Sequence, residues 1–109
     1  MRLYHTTPRI NQWSIQENGI CTRYSQGKRP LVWLHSADRI AWAFLHCVRR
    51  HGCRVEDVIT FEVEVSAELV KRSPVHQLCY VDVDIVPGCF YGVLGFQVVS
   101  ESPLKGWQE

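Results

Sequence analysis

Residues 58–65 have the sequence VITFEVEV, in which apolar and polar side chains alternate over most of the stretch. Successive side chains of an extended strand point to opposite faces, so the alternation places the apolar members on one face and the polar members on the other. The stretch therefore predicts a half-solvated β-strand. Its apolar face consists of Ile59, Phe61, Val63 and Val65, and its polar face consists of Thr60, Glu62 and Glu64.

The chain after this strand is also rich in strand patterns. Residues 66–70 predict a single helical turn, residues 78–85 alternate again, and residues 89–99 form a last apolar stretch that Gly92 and Gly95 would bend or bulge. Because the connections are short, the sequence favours antiparallel pairing in this half.

Before residue 58, the first predicted unit is a short strand at residues 3–5 followed by a helix. Thr7 is placed to cap that helix with Pro8 at its first position, and Gly19 is placed to end it with a left-handed residue. Residues 21–30 are polar and lack periodicity, which predicts a loop. The helical spacing assigns the buried face of this helix to Ile10 and Trp13.

The second unit is a buried strand at residues 31–34 followed by a longer helix over residues 37–51, with Ser36 as its cap and Gly52 as its stop. Apolar residues recur at steps of three and four, which predicts one buried stripe. Trp42 lies off that stripe, so we expect it to face a partner or a second packing surface. The stripe consists of Ile40, Phe44, Cys47, Val48 and His51.

The order of elements is β-α-β-α-β-(α)-β-β, which predicts the α+β class: a bent, mostly antiparallel sheet with two main helices. We expect residues 31–35 and 58–65 to belong to the same central sheet. The whole chain, residues 1–109, is interpreted as a single domain, with residues 101–109 as a frayed tail.

Composition sets wide limits on function. The chain has 109 residues, of which 46% are hydrophobic and 21% charged, and its net charge is +1. These values are typical of one globular domain and give no overall charge for gripping a polyanion. Since the sequence shows neither an export signal nor an apolar run of membrane-spanning length, we expect a cytoplasmic protein with no membrane partner.

Five cysteines in such a compartment predict free thiols. The cluster of histidines and cysteines in residues 46–53 lacks the paired spacing of a zinc site, so we predict that no metal is bound and that Cys47 packs as a small hydrophobic residue. The sequence also contains no phosphate-binding glycine loop and no nucleophile elbow. Polar residues that end apolar strands therefore remain as the candidates for chemistry, at His5-Thr6-Thr7 and at His35-Ser36.

Several short phrases of the sequence occur in a fixed order: LYHTT at 3–7, NGI at 18–20, VWLHS at 32–36, the AxxxAW pattern at 37–42, the strand at 58–66 and DIVP followed by Val93 in 84–93. This series resembles the ADP-ribosyltransferase-like fold. The small bacterial members that look most similar are the RNA 2′-phosphotransferases and the DNA-modifying ADP-ribosyltransferase toxins.

The resemblance implies an NAD site. His5 would hydrogen-bond the nicotinamide-side ribose, and Thr6 would place its backbone beside the carboxamide, at a position where the family usually has glycine. Thr7 is the second hydroxyl after His5 and joins the predicted site. Trp33 would stack on nicotinamide or adenine, and Ser36 would support the pocket.

The third motif departs from the family pattern. Transferase members commonly have a glutamate there, whereas this chain has Gln77 and Cys79 and no carboxylate before Asp82. The predicted catalytic residues are therefore His5, Gln77 and Cys79. Without a charge aimed at the developing cation, the usual electrostatic stabilisation has no visible source.

A phosphotransferase-like reading assigns a substrate phosphate to four basic residues, and it favours an RNA or DNA end as the acceptor. The alternative reading is that these residues are ordinary surface charges. A second alternative is a non-catalytic module, in the form of a homodimer or otherwise, that binds protein or nucleic acid with the same fold. The four residues are Arg9, Arg23, Lys28 and Arg39.

Each of the following residues also has an alternative interpretation in which its role is purely structural. His5 would be a hydrogen-bonded structural residue, Trp33 a core residue, and His35 a surface residue at the start of a helix. We expect ordinary solvent-exposed positions for the remaining polar candidates, which are Asp82, Asp84, Arg49 and Arg50.

Overall fold

The computed structural model describes residues 1–25, 29–73 and 78–95. Two α-helices are present in these ranges, α1 (Gln12–Asn18) and α2 (Ile40–His51). The strands are β1 (Arg2–Pro8), β2 (Val32–Leu34), β3 (Val58–Glu64), β4 (Lys71–Arg72), β5 (Cys79–Val81) and β6 (Phe90–Gly95). The predicted α+β class is confirmed.

The strands form two antiparallel sheets rather than one. The first sheet has the order β1-β3-β6, and the second has the order β2-β5-β4. The expectation of one central sheet was wrong, because residues 32–34 and 58–64 lie in different sheets. The reason is that β2 pairs with β5 along its whole length, and the backbone bridge to β1 is made by His35, the residue after β2, which forms two backbone hydrogen bonds of 2.9 Å with Tyr4.

Two apolar clusters hold these layers together. The larger one lies between the sheets, and the smaller one lies between α2 and the other face of the first sheet. Burying apolar side chains from both sheets in one cluster is the main stabilising contribution to such a fold. The larger cluster contains Leu3, Ile20, Val32, Leu34, Ile59, Phe61, Val63, Val65, Val81 and Ile85, and the smaller one contains Ile40, Phe44, Cys47 and Val58.

The two-sided burial of β3 corrects the prediction of a half-solvated strand. Thr60 belongs to the polar set of residues 58–65, but its exposed fraction is 0%. Helix α2 covers this face, where Val58 packs against the helix. Of the predicted polar face, Glu62 is half-buried and only Glu64 is exposed as predicted.

Helix α1 differs from the prediction at its start and in its buried face. Thr7 and Pro8 belong to β1, and a 3₁₀ turn over Arg9–Asn11 precedes the helix. The Thr7 hydroxyl accepts a hydrogen bond of 3.0 Å from the Asn11 side-chain amide instead of capping the helix. Because the strand delays the helix, the predicted apolar face points to solvent and Ile15 packs against the core instead. The exposed fractions are 89% for Ile10 and 73% for Trp13.

Helix α2 largely confirms its prediction. A 3₁₀ turn over Ala37–Arg39 leads into it, and Gly52 ends it in the left-handed conformation with φ +65°. Ser36 makes no side-chain bond to the helix backbone, so it is not the predicted cap. His51 is exposed and leaves the stripe, of which Ile40, Phe44 and Cys47 are buried and Val48 is half-buried.

The strand predicted at residues 78–85 is shorter in the structure and ends at Val81. The chain then turns so that the Asp84 carboxylate accepts hydrogen bonds from the Thr22 backbone N–H (2.8 Å) and hydroxyl (2.9 Å). Ile85 forms an isolated backbone bridge with Ile20, which ties the start of the loop after α1 to the second half of the chain. Asp82 is exposed, as predicted, and pairs with Lys71 at 3.2 Å.

The last strand has the predicted irregularity, a register shift against β3 at the level of Gly92. The predicted continuation of the strand to residue 99 and the predicted frayed tail at 101–109 lie outside the described residues. Across the parts of the chain that are described, no helix combines the length and apolar character that crossing a membrane requires.

Candidate functional site

Most of the residues predicted for the NAD site meet where the two sheets join. The Tyr4–His35 bridge brings the end of β2 against the middle of β1. His5 and Thr6 follow Tyr4 on β1, and Ser36 follows His35. We call this region, from Tyr4 to Thr6 and from Trp33 to Ser36, the sheet junction.

His5 is half-buried at the sheet junction, and its Nδ1 lies 2.9 Å from the backbone carbonyl oxygen of Trp33. Since a carbonyl can only accept, Nδ1 carries the proton of a neutral ring and donates to Trp33. Burial lowers the pKa of His5, which keeps the ring neutral, and the bond to Trp33 opposes this only in part. Nε2 is then an acceptor, and it forms no hydrogen bond with another described residue.

Thr6 connects both sheets through its hydroxyl. Its Oγ1 lies 2.8 Å from Nε2 of His35 and 2.7 Å from Oγ1 of Thr60. Thr6 and Thr60 are directly opposite each other on β1 and β3, so their side chains share the face that α2 covers. The three side chains form a largely buried hydrogen-bond network.

The protonation state of His35 sets the direction of this network. Its Nδ1 donates to the Ser36 carbonyl oxygen at 3.1 Å, and burial lowers the pKa of His35 to about 4, so the ring is neutral and Nε2 accepts from Thr6. The Thr6 proton is used in that bond, so the Thr6 oxygen accepts from Thr60. Every hydroxyl and ring nitrogen of the network therefore has a partner, and the junction is held in one geometry.

Thr60 was missed as a member of the site, whereas His35 was a candidate at the strand end His35-Ser36 but was assigned no role there. The alternative interpretation of His35 as a surface residue is wrong, because its exposed fraction is 6%. It directly follows the apolar residues 31–34, and that position was the signal available in the sequence. No local signal identified Thr60, because the helix that buries it comes from a different part of the chain.

Trp33 supplies its backbone, rather than its ring, to His5. Val32 and Leu34 point into the core, so the Trp33 side chain points to the opposite face of β2. There its indole packs against Tyr80, with ring centroids 5.3 Å apart and an angle of 58° between the planes. Trp33 is half-buried, and the Arg29 guanidinium lies 5.7 Å from the Tyr80 ring. The predicted stacking role for Trp33 therefore stays a prediction for that outer face.

Two other predicted cofactor-binding residues have local partners. Ser36 is exposed, and its hydroxyl donates to the Asp38 carboxylate, which contributes to a lowered pKa of Asp38. Thr7 is buried and bonded to Asn11. Ser36 thus contributes to the sheet junction only through its backbone carbonyl, which accepts the hydrogen bond from His35. Thr7 lies one residue after the β1 part of the junction.

Of the predicted catalytic residues besides His5, only Cys79 is described, since Gln77 lies outside the described residues. The Cys79 thiol donates to the Leu34 carbonyl oxygen at 3.5 Å, and burial raises its pKa. A thiol with a raised pKa is protonated near neutral pH and is a poor nucleophile. The contacts of Cys79 are those of a packing residue.

The basic residues assigned to a substrate phosphate contact different parts of the fold. Arg9 donates to the Glu56 carbonyl oxygen at 3.1 Å, and the Arg23 guanidinium lies over the Tyr24 ring at 4.8 Å. Arg39 is half-buried at the start of α2. Lys28 lies outside the described residues. These contacts do not gather the described arginines around one phosphate.

A cavity of about 410 Å³ lies elsewhere on the surface and contains one of these arginines. Its lining includes none of the residues predicted to bind NAD. It is lined by Pro8, Arg9, Ile10, Cys53 and Asp57.

The cysteines bear on metal binding. All five are free thiols, and burial raises the pKa of Cys47 to about 12, which confirms that Cys47 packs as a small hydrophobic residue. Within residues 1–25, 29–73 and 78–95, no three histidine, cysteine, aspartate or glutamate side chains are grouped as metal ligands.

We compared the chain with models of known protein families and with curated proteins. No family model matches it, and no curated protein is similar enough to count as a match.

Proposed function

We propose that the sheet junction binds an ADP-ribose-containing nucleotide, with NAD as its principal ligand, on a fold of the ADP-ribosyltransferase type. The observation that carries the proposal is the state of His5. Its ring is neutral, oriented by the Trp33 carbonyl through Nδ1, and its Nε2 acceptor has no partner among the described residues.

A fixed acceptor of this kind suits a sugar hydroxyl. A ribose hydroxyl can donate to Nε2, and the ring need not change its tautomer or orientation when the ligand arrives. Thr6 and His35 support the arrangement, since their network fixes β1 against the end of β2 on either side of His5. The rings of Trp33 and Tyr80 pack together on the outer face of β2, and a base would stack against them there.

NAD is expected to quench tryptophan fluorescence in a saturable way, and His5→Ala is expected to weaken its binding by about tenfold, the cost of one hydrogen bond to a well-oriented acceptor. Binding is measured by fluorescence and by calorimetry. The matched control is His46→Ala, at an exposed histidine of α2 that does not contact the junction. If neither quenching nor a thermal shift appears at millimolar NAD, or if both variants bind equally, the junction is not the site.

We further propose that the bound NAD is used for transfer to a nucleic-acid end. In such a transfer, the bond between C1′ of the ribose and the nicotinamide nitrogen breaks, and a bond forms between C1′ and an oxygen of the acceptor. Nicotinamide leaves with the bonding electron pair, and the acceptor loses a proton to water. His5 would hold the ribose, while the positive charge that develops at C1′ would need a partner outside His5, because no carboxylate of residues 1–25, 29–73 and 78–95 contributes to the pKa of His5.

Incubation with NAD and a panel of acceptors tests this step. We expect labelled ADP-ribose on one of three probes: 2′-phosphorylated RNA, 5′-phosphorylated RNA or single-stranded DNA. His5→Ala should reduce the yield in proportion to its loss of NAD binding at subsaturating NAD. Label found only on protein would contradict the preference for nucleic acid.

The second candidate function is a non-catalytic binding module. It is favoured by the protonated Cys79 thiol, which is bonded to Leu34 and packed against the core. NAD binding without any product on the panel would support this function, and the His5 prediction would remain valid.

A further inference from the structure

The outer face of α2 has a composition that the packing of the fold does not explain. Trp42, His46 and Arg49 follow one another at helical spacings of four and three, so they form one stripe, and Leu45 lies beside it. The exposed fractions are 41% for Trp42 and 55% for Leu45, and neither residue belongs to a core cluster. We call these four residues the α2 stripe.

Two rings of the stripe form a flat platform. The indole of Trp42 and the imidazole of His46 are stacked, with centroids 4.8 Å apart and planes within 11° of parallel. A stacked pair of this kind orients the indole, so a further flat ring can stack on it with little loss of side-chain freedom.

The charged residues within α2 have one sign. Helix α2 contains no aspartate or glutamate, and its last turn holds Arg49 and Arg50. Cations at the C-terminal end of a helix interact favourably with the helix dipole, which accounts for the arginines but not for an exposed tryptophan about two turns earlier. Asp38, one turn before Trp42, accepts a hydrogen bond from Ser36 and keeps its negative charge, so the positive charge lies on the C-terminal side of the platform.

We propose that the α2 stripe is a docking surface for single-stranded nucleic acid. A base would stack on the Trp42–His46 pair, and a phosphate would lie beside Arg49, which is the combination of aromatic platform and positive charge that non-specific single-strand binding uses. A second copy of the chain fits less well, because two such stripes would bring like charges together. The proposal goes beyond nucleotide binding at the sheet junction and does not require it.

Fluorescence anisotropy with a labelled single-stranded oligonucleotide of about 16 nucleotides tests the proposal in the absence of NAD. We expect saturable binding at ~50 mM salt that weakens steeply as the salt concentration rises. Trp42→Ala should reduce the affinity about tenfold, the usual effect of losing one stacked base, and Trp42→Phe should restore most of it. Arg49→Gln should make the slope of log K against log salt shallower by about 0.7.

Two controls separate this surface from others. Trp13→Ala removes another exposed tryptophan, on α1, and should leave the affinity unchanged. His5→Ala should also leave it unchanged, so failure of NAD binding and failure of this proposal are distinguishable. The proposal is overturned if the oligonucleotide does not bind, if Trp42→Ala and Trp13→Ala bind equally, or if an oligo-glutamate peptide binds with the same dependence on Trp42.

Discussion

Replacing Gly19 with alanine is expected to lower the free energy of unfolding by about 3 kcal/mol or more. Gly19 has φ +85° and ψ −178°, a region that essentially only glycine occupies. A Cβ at this position would lie 2.3 Å from the carbonyl oxygen of Ile85. That oxygen is backbone and accepts from the Ile20 N–H at 2.9 Å, so it can move only by breaking the bridge between residues 20 and 85.

The other glycine with positive φ provides the control. Gly52 has φ +65° and ψ 24°, and a Cβ there would meet nothing within 4 Å. Gly52→Ala is therefore expected to cost about 1 kcal/mol, the strain of a left-handed residue alone. Urea unfolding monitored by circular dichroism gives both values. Equal losses for the two variants would show that the Ile85 backbone yields to the new methyl group.

Gly19 also shows which part of the fold was accessible from the sequence. The Asn18-Gly19 pair predicted that the first helix ends there with a left-handed cap; the helix does end at Asn18 and Gly19 has a positive φ, but its ψ of −178° is not that of a left-handed cap. The close approach to Ile85 was not predictable, because that residue is far away along the chain and only tertiary pairing brings it near. Local signals of this kind also identified β1, α2 and the Gly52 stop, while the division into two sheets depended on long-range pairing.

The first helix illustrates how tertiary structure can override a helical pattern. Ile10 and Trp13 have the spacing of a buried helical face, yet β1 continues through Pro8 and the helix starts only at Gln12. Residues 7 and 8 adopt the strand conformation rather than the helical one because the pairing of β1 with β3 extends as far as the Pro8–Val58 pair. The phase of the helix is thereby set by the sheet, and Ile15 becomes the residue that reaches the core.

About half of the candidate site could be predicted from the sequence. Polar residues after apolar strands identified His5, Thr6 and Ser36, and the structure places all three at the sheet junction. Their partners Thr60 and His35 were not assigned a role, since burial of a threonine on a polar face requires knowing that α2 lies above it. The pattern of apolar and polar residues in the sequence thus located the ends of the strands. The packing of α2 and the two sheets determined which side chains became buried and neutral.

That burial makes stability depend on pH. The pKa of His35 falls from 6.5 to about 4 in the folded protein, so between these values the unfolded chain binds a proton that the native protein does not. The free energy of unfolding is then expected to fall by about 3 kcal/mol as pH drops from 6.5 to 4, and to be insensitive to His35 above 6.5. His5 acts in the same direction, because its pKa is also lowered by burial.

Carboxylates are the other groups that titrate under acid conditions, but those with a lowered pKa lose their stabilising contribution only below their ordinary values near 4, at the lower edge of this window or beyond it. His35→Gln should therefore flatten the pH profile between 6.5 and 4, whereas His46→Gln, at an exposed position, should leave it as in the wild type. Should His35→Gln fail to fold, the ring-proton shifts of His35 in the wild-type protein, followed by NMR against pH, give the same answer. A midpoint near 6.5 would mean that the Thr6–His35–Thr60 network is open to water, and the one fixed geometry inferred for the sheet junction would then be wrong.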